Sequence, residues 1–372
     1  MKKLLLSAFA ALLLVAFTVP AMAATNAATF YGNVRYWNWI VKQDDNFKLN
    51  KTGYDDTDLV WGADIYDNRF GVRLQEGNIK ANIEIRPFSA SYFRQFWASY
   101  TFGNTEMLIG FTWSPFFCPV TTSIYTAGGL QGDWGDMAAC LRSDMIGFKT
   151  NLGFGHLFLA LEPPNTGGIY DITDSAEATP LQADIDTFLP RIEANLTVNA
   201  GPANVGLFGG YNTYKVVNSM DNSKTIKSYI YGARVEVPVG PVSLRGILWK
   251  AQNMGNYGYA FGGTQPGITK AVVVNGDVED ASTLGYAAAA TFRITDMVSV
   301  DAGYGHAKYE RYKDEEAAGA FYYVRFPITI AKGFTVTPEV GRLALKDSTD
   351  AAGNDTDQGN ETWYGLYWQI NF

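Results

Sequence analysis

Along most of this chain apolar and polar side chains alternate with a period of two. The clearest case is 79–87, where Ile79, Ala81, Ile83 and Ile85 share one face while Lys80, Asn82, Glu84 and Arg86 share the other. Such a strand has one face fit for an apolar medium and one fit for water. Runs of this kind are predicted at 29–42, 68–75, 79–87, 92–102, 106–113, 144–151, 156–162 and 189–199. They continue at 204–216, 227–239, 242–252, 283–294, 297–310, 319–330, 334–346 and 363–372. The stretch 57–67 either extends the second run or belongs to the loop before it.

The connections alternate as well. Tight turns such as Glu76-Gly77-Asn78, Gly103-Asn104, Gly201-Pro202 and Gly240-Pro241 are interleaved with long polar segments. The total is about 16 strands of about 9 to 14 residues, an even number that leaves both ends of the barrel on the short-turn side. Closure satisfies every strand edge, which hydrocarbon would otherwise leave unpaired. A ring of this size encloses an aqueous channel. The predicted fold class is therefore all-β, a transmembrane antiparallel β-barrel with long extracellular loops and short periplasmic turns, occupying 24–372 as one domain.

Composition agrees with this reading. The chain is 47% hydrophobic and 15% aromatic with 38 Gly, yet beyond residue 23 nothing approaches the roughly 18 to 20 consecutive apolar residues of a membrane helix. A barrel spreads its apolar residues over alternate positions and so hides them from hydropathy windows. At the N-terminus, Lys2 and Lys3 precede an apolar run over 4–19, then Pro20 and Ala21-Met22-Ala23. This predicts an export signal at 1–23. The next residue is Ala24 rather than Cys, so no lipid anchor is implied, and the mature protein meets an oxidising compartment. The net charge of −8 becomes more negative still when Lys2 and Lys3 leave, which argues against a nucleic-acid partner.

Enzyme chemistry has little to stand on. His156 and His306 fall in separate strand-like runs, and no nucleophile elbow, His-Glu-x-x-His, phosphate-binding loop or dinucleotide fingerprint occurs. No cofactor is expected. Cys118 and Cys140, without a nearby His, cannot complete a usual zinc shell. In an oxidising compartment a Cys118–Cys140 disulfide would close a loop of about 20 residues and stiffen it by roughly 3 kcal/mol. The alternative is two separate thiols.

Two stretches resemble known proteins. In the final WYGLYWQINF, Tyr364, Leu366, Trp368, Ile370 and Phe372 share one face, with Gly365, Gln369 and Asn371 on the other. This resembles the C-terminal signal of Gram-negative outer-membrane β-barrels, which the barrel-assembly machinery reads. Phe93-Arg94-Gln95-Phe96-Trp97, the turn at Phe102-Gly103-Asn104, and Gly110-Phe111-Thr112-Trp113-Ser114-Pro115-Phe116 resemble the fourth strand, glycine turn and fifth strand of the trimeric porins of Gram-negative outer membranes. The match in layout spans the mature chain.

The resemblance implies a homotrimer in the outer membrane, in contact with its lipid and lipopolysaccharide, that passes small hydrophilic solutes passively. It further implies that the third loop, 114–143, folds into the lumen as a constriction. A disulfide there departs from the family pattern. Asp133 and Asp136 in that loop, with Asp144 beyond, would oppose Arg35, Arg73 and Arg86 on the early strands, with Arg69 and Lys80 beside them. Opposed charges make a transverse field. Later lumen-phase positions add Lys149, Arg191, Arg234, Arg245, Arg293 and Arg325, against Glu84, Glu106, Glu193, Glu236, Asp301 and Glu339 around the whole wall. The wall leans basic, and a weak preference for anions follows as an expectation. Phe30, Trp39, Trp113, Phe334, Trp363, Trp368 and Phe372 have the character of interfacial girdles. The loops 165–186 and 253–280, rich in Gly, Asn and Thr, suit lids or exposed tips. A solute-selective channel, or a structural or adhesive surface barrel, is the alternative function.

Overall fold

The computed structural model describes residues 27–372 except 51–56, 64–66, 87–92, 128–133, 138–141, 168–169, 173–178, 181–183, 218–222, 260–267, 275–276, 313–314 and 351. The expected signal 1–23, together with Asp133 and Cys140, lies outside the described residues. Sixteen antiparallel strands close into a barrel. They are β1 (Ala27–Gln43), β2 (Thr57–Ala63 and Arg69–Glu76), β3 (Ile79–Ile85), β4 (Phe93–Phe102), β5 (Thr105–Trp113), β6 (Arg142–Asn151), β7 (Gly155–Glu162) and β8 (Arg191–Ala200). The second half comprises β9 (Ala203–Val217), β10 (Ser223–Val239), β11 (Val242–Gln252), β12 (Ser282–Arg293), β13 (Ser299–Glu310), β14 (Glu316–Arg325 and Ile328–Ala331), β15 (Phe334–Leu345) and β16 (Asn360–Asn371).

Each strand pairs with its sequence neighbours, and β1 pairs with β16 from Asn33↔Asn371 to Gln43↔Glu361, which closes the ring. Both pieces of β2 pair with β1, so 57–63 extends the second strand. Asp67, just before the second piece, meets a group of arginines. β14 is interrupted before Ile328 at Pro327, which has no N–H to give to a ladder. In the β4–β5 turn Gly103 takes φ 58°, the left-handed conformation that a two-residue hairpin needs.

Alternation sets the faces as predicted. Ile79, Phe96, Tyr100, Leu207, Leu248 and Val340 stand exposed on the outer wall, a contiguous apolar surface suited to lipid rather than water. Their strand neighbours Asn82, Glu84 and Ser99 are buried in the lumen.

The core of this molecule lies inside the barrel. Phe116, Val120, Ile124, Tyr125, Trp134 and Met137 of the third loop pack against wall residues that include Trp39, Phe208, Trp249 and Trp363. Met254, Tyr257, Tyr259 and Ile268 join them. The segment after β11 is therefore inserted into the lumen over these residues rather than forming an exposed tip. Trp39 and Trp363, expected in the girdles, sit on lumen-phase positions and are fully buried in this core; Phe30, Trp368 and Phe372 remain exposed. Above β9 and β10, Tyr170–Ile172 pairs in parallel with Val272–Val274, tying two long loops into a small sheet. Val273 packs there on Tyr214, Val216 and Ile226.

Candidate translocation path and constriction loop

The third loop is held across the lumen by carboxylates of the far wall. Glu339 on β15 accepts hydrogen bonds from Ser123 Oγ (2.7 Å), Ile124 N (2.7 Å), Tyr125 N (3.3 Å) and Trp363 Nε1 (3.0 Å). The Tyr125 ring stacks on Trp363, centroids 4.4 Å apart, and meets Trp39 edge-on at 5.7 Å. Its hydroxyl donates to Glu361, which also accepts from Gln43 Nε2 at 2.5 Å. Thr122 N donates to Tyr323 OH at 2.6 Å, and Trp249 Nε1 to Gly135 O at 2.8 Å. At Gly135, with φ 82°, a Cβ would lie 2.1 Å from His306 O, so a side chain cannot replace glycine while the loop stays docked.

Asp136 belongs to this scaffold. It is fully buried and accepts from Val120 N, Thr121 N, Thr121 Oγ1 and Met137 N. It presents no charge to the open lumen, contrary to the sequence expectation, because the loop folds around it and its own amides saturate the carboxylate. Cys118 is a buried free thiol in this structure; Cys140, its expected partner, is outside the described residues.

On the near wall the arginines are brought together, and they are paired. Arg35 meets Asp67 at 3.2 Å; Arg94, fully buried, meets Glu84 and Asp67 at 2.8 Å each; Arg69 approaches Glu84 at 3.9 Å. Arg73 lies over the Tyr31 ring, 4.3 Å from its centroid, and Tyr31 OH donates to Asn82 at 2.8 Å. Arg86 is half-buried just after β3. Sequence reasoning missed Arg94, because a bulge between β3 and β4 shifts the register there and turns an additional residue inward. It also missed the tethering role of Glu339 and Glu361, whose partners lie more than 200 positions away in the chain.

One cavity lies beside the docked loop and a second lies near the short turns. The first, of about 480 Å³, is lined by Trp97, Trp113, Phe117, Cys118, Lys149, His156, Phe158 and Arg234, with Gln95, Thr112, Asn195 and Thr197. The other, about 400 Å³ near the short turns, is lined by Lys80, Glu106, Lys149, His156 and the β4–β5 turn. Lys149 and His156 line both. Glu193, behind Ser114 and Tyr259, is fully buried, accepts from Tyr259 OH at 3.0 Å and lies 3.4 Å from Arg191. Among the described residues, the carboxylates facing the lumen are mostly engaged in loop tethers or ion pairs, Glu106 with Lys80 at 3.9 Å among them.

No family model matches this chain, and no curated protein does either. Solved structures match over nearly its whole length. The outer membrane channel DcaP of Acinetobacter baumannii superposes with a TM-score of 0.67 at 16% identity, covering 94% of this chain and 99% of that one. An anion-selective porin from Comamonas acidovorans gives 0.58 at 16% identity, covering 93% and 100%. OmpT of Vibrio cholerae, in its trimer form, gives 0.60 at 13% identity, covering 94% and 100%. The chain thus has the fold of the porin-type barrels of Gram-negative outer membranes.

Proposed function

We propose that this protein is an outer-membrane channel through which small hydrophilic solutes diffuse passively, with a preference for anions. The observation that carries this reading is a pair of cavities that share Lys149 and His156, the larger beside the docked third loop and bordered by Arg234, the smaller bordered by Lys80 with its partner Glu106. A fixed positive charge in a narrow path with low-dielectric walls raises the local concentration of anions and lowers that of cations. The apolar core inside the lumen favours a narrow, solute-selective path over a wide general-diffusion pore, since loop and wall side chains occupy the far half of the barrel. A trimeric assembly in the outer membrane, bounded by lipid and lipopolysaccharide and inserted by the barrel-assembly machinery, is supported by the fold it shares with OmpT in its trimer form.

The test is a reversal-potential measurement in a salt gradient on purified protein in a planar bilayer. The expected sign is that of anion preference, with a small conductance. A clear cation preference overturns the selectivity, and absence of conductance overturns the channel.

A further inference from the structure

The larger cavity combines two surfaces that a water-filled path does not need together. Trp97 and Phe158 supply aromatic faces, while the Trp113 ring is already stacked on Phe117 at 3.8 Å and covered by the Arg142 guanidinium at 3.7 Å. Behind Trp97 and Phe158 the lumen wall continues apolar through Leu108 on β5, Met145 on β6 and Ala160 on β7, all buried. These are lumen-phase positions, where a general pore places polar side chains. Beside the rings stand Lys149, Arg234 and His156, while no carboxylate lines the cavity among the described residues. The Lys149 ammonium lies 4.8 Å from the Phe158 centroid, so charge and ring share one spot.

Neutral hydrogen-bonding groups complete the lining. Gln95 accepts from Trp97 Nε1 and Thr112 Oγ1, both at 3.1 Å. Asn195 is fixed by donating to Pro115 O at 2.8 Å, which holds the loop side of the cavity in place. The volume, about 480 Å³, falls within the range of small-molecule sites and accommodates a single-ring solute.

We propose that this cavity binds flat organic anions, a ring against Trp97 and Phe158 with its carboxylate toward Lys149 and Arg234, and hands them past Lys149 to the second cavity. This deepens the channel reading and rests on it for the transport step alone; binding stands on the cavity itself. A bare inorganic anion would leave the apolar wall unused, and a neutral ring would leave the cations unused.

The experiment is titration calorimetry of the full chain, purified in detergent, with benzoate, acetate and benzylammonium, paired with bilayer recordings of the same preparation. Saturable benzoate binding, about tenfold or more tighter than acetate, with no benzylammonium binding, is the expected result, tenfold being one decade of Kd. Lys149→Met and Trp97→Ala each weaken benzoate by about tenfold, and Lys149→Arg retains it. Folding of each variant is followed by its heat-modifiable electrophoretic mobility. Equal binding of acetate or benzylammonium, or unchanged benzoate binding by both variants, overturns the proposal. Conductance without benzoate binding overturns it while leaving the channel intact; benzoate binding without conductance supports the site and overturns the channel.

Discussion

Replacing Glu339 by Ala should release the third loop from the far wall. The carboxylate accepts four hydrogen bonds, three of them from consecutive loop residues, Ser123 to Tyr125. Hydrogen bonds to a charged acceptor contribute about 1.5–3 kcal/mol each, but water entering the gap can satisfy part of what is lost. Two effects limit the cost further: the carboxylate no longer needs to be desolvated, and the Tyr125 stack on Trp363 survives. A net loss of about 3–5 kcal/mol of docking energy follows by comparison with broken buried polar pairs. Each 1.4 kcal/mol is a factor of ten, so the undocked population rises by roughly two to three and a half orders of magnitude. In single-channel recordings Glu339→Ala should show a larger mean conductance and strong open-state noise, with a lower heat-modification temperature. A quiet channel of wild-type conductance and unchanged thermal stability would refute the tether.

Arg94→Ala removes the buried cation between Glu84 and Asp67, leaving Glu84 with Arg69 and the Tyr31 hydroxyl and Asp67 beside Arg35 and Arg69; a stability loss of about 3 kcal/mol or more is expected, read as a fall in the heat-modification midpoint. Phe372→Ser keeps the backbone bonds between Gly32 and Phe372 but removes the exposed terminal ring. If that ring belongs to the assembly signal, the amount of folded protein in the outer membrane drops while the conductance of the molecules that do insert stays the same.

The barrel was legible because its grammar is local. A period of two over 79–87 needs no knowledge of partners, and turn residues such as Gly103 announce themselves. That the third loop enters the lumen was legible only through the porin resemblance. What the chain order does not disclose is which lumen residue meets which. Glu339 reads as one more wall charge until Ser123 to Tyr125 are seen beneath it, and Asp136 reads as a pore charge until its own loop amides are seen to enclose it. Trp39 and Trp363 look like girdle aromatics because their chemistry suits both settings; only the phase of β1 and β16, fixed by the β1–β16 register at Trp39↔Gly365 and Val41↔Trp363, directs them inward. Met254 to Tyr259 were hidden by composition, since a Gly- and Asn-rich segment looks solvated whether or not its few aromatics find a pocket.

Tyr125 has a consequence for how the molecule is built. Its ring is gripped by one tryptophan from the first strand and one from the last, and its hydroxyl reaches Glu361 on the last strand, which in turn is bonded to Gln43 on the first. The loop therefore acts as a stitch across the seam. In their final register the two ends of the sheet hold a residue of the N-terminal half between them. Misregistered zipping of the two terminal strands would separate the tryptophans and lose the tyrosine, so the plug doubles as a gauge of correct ring closure.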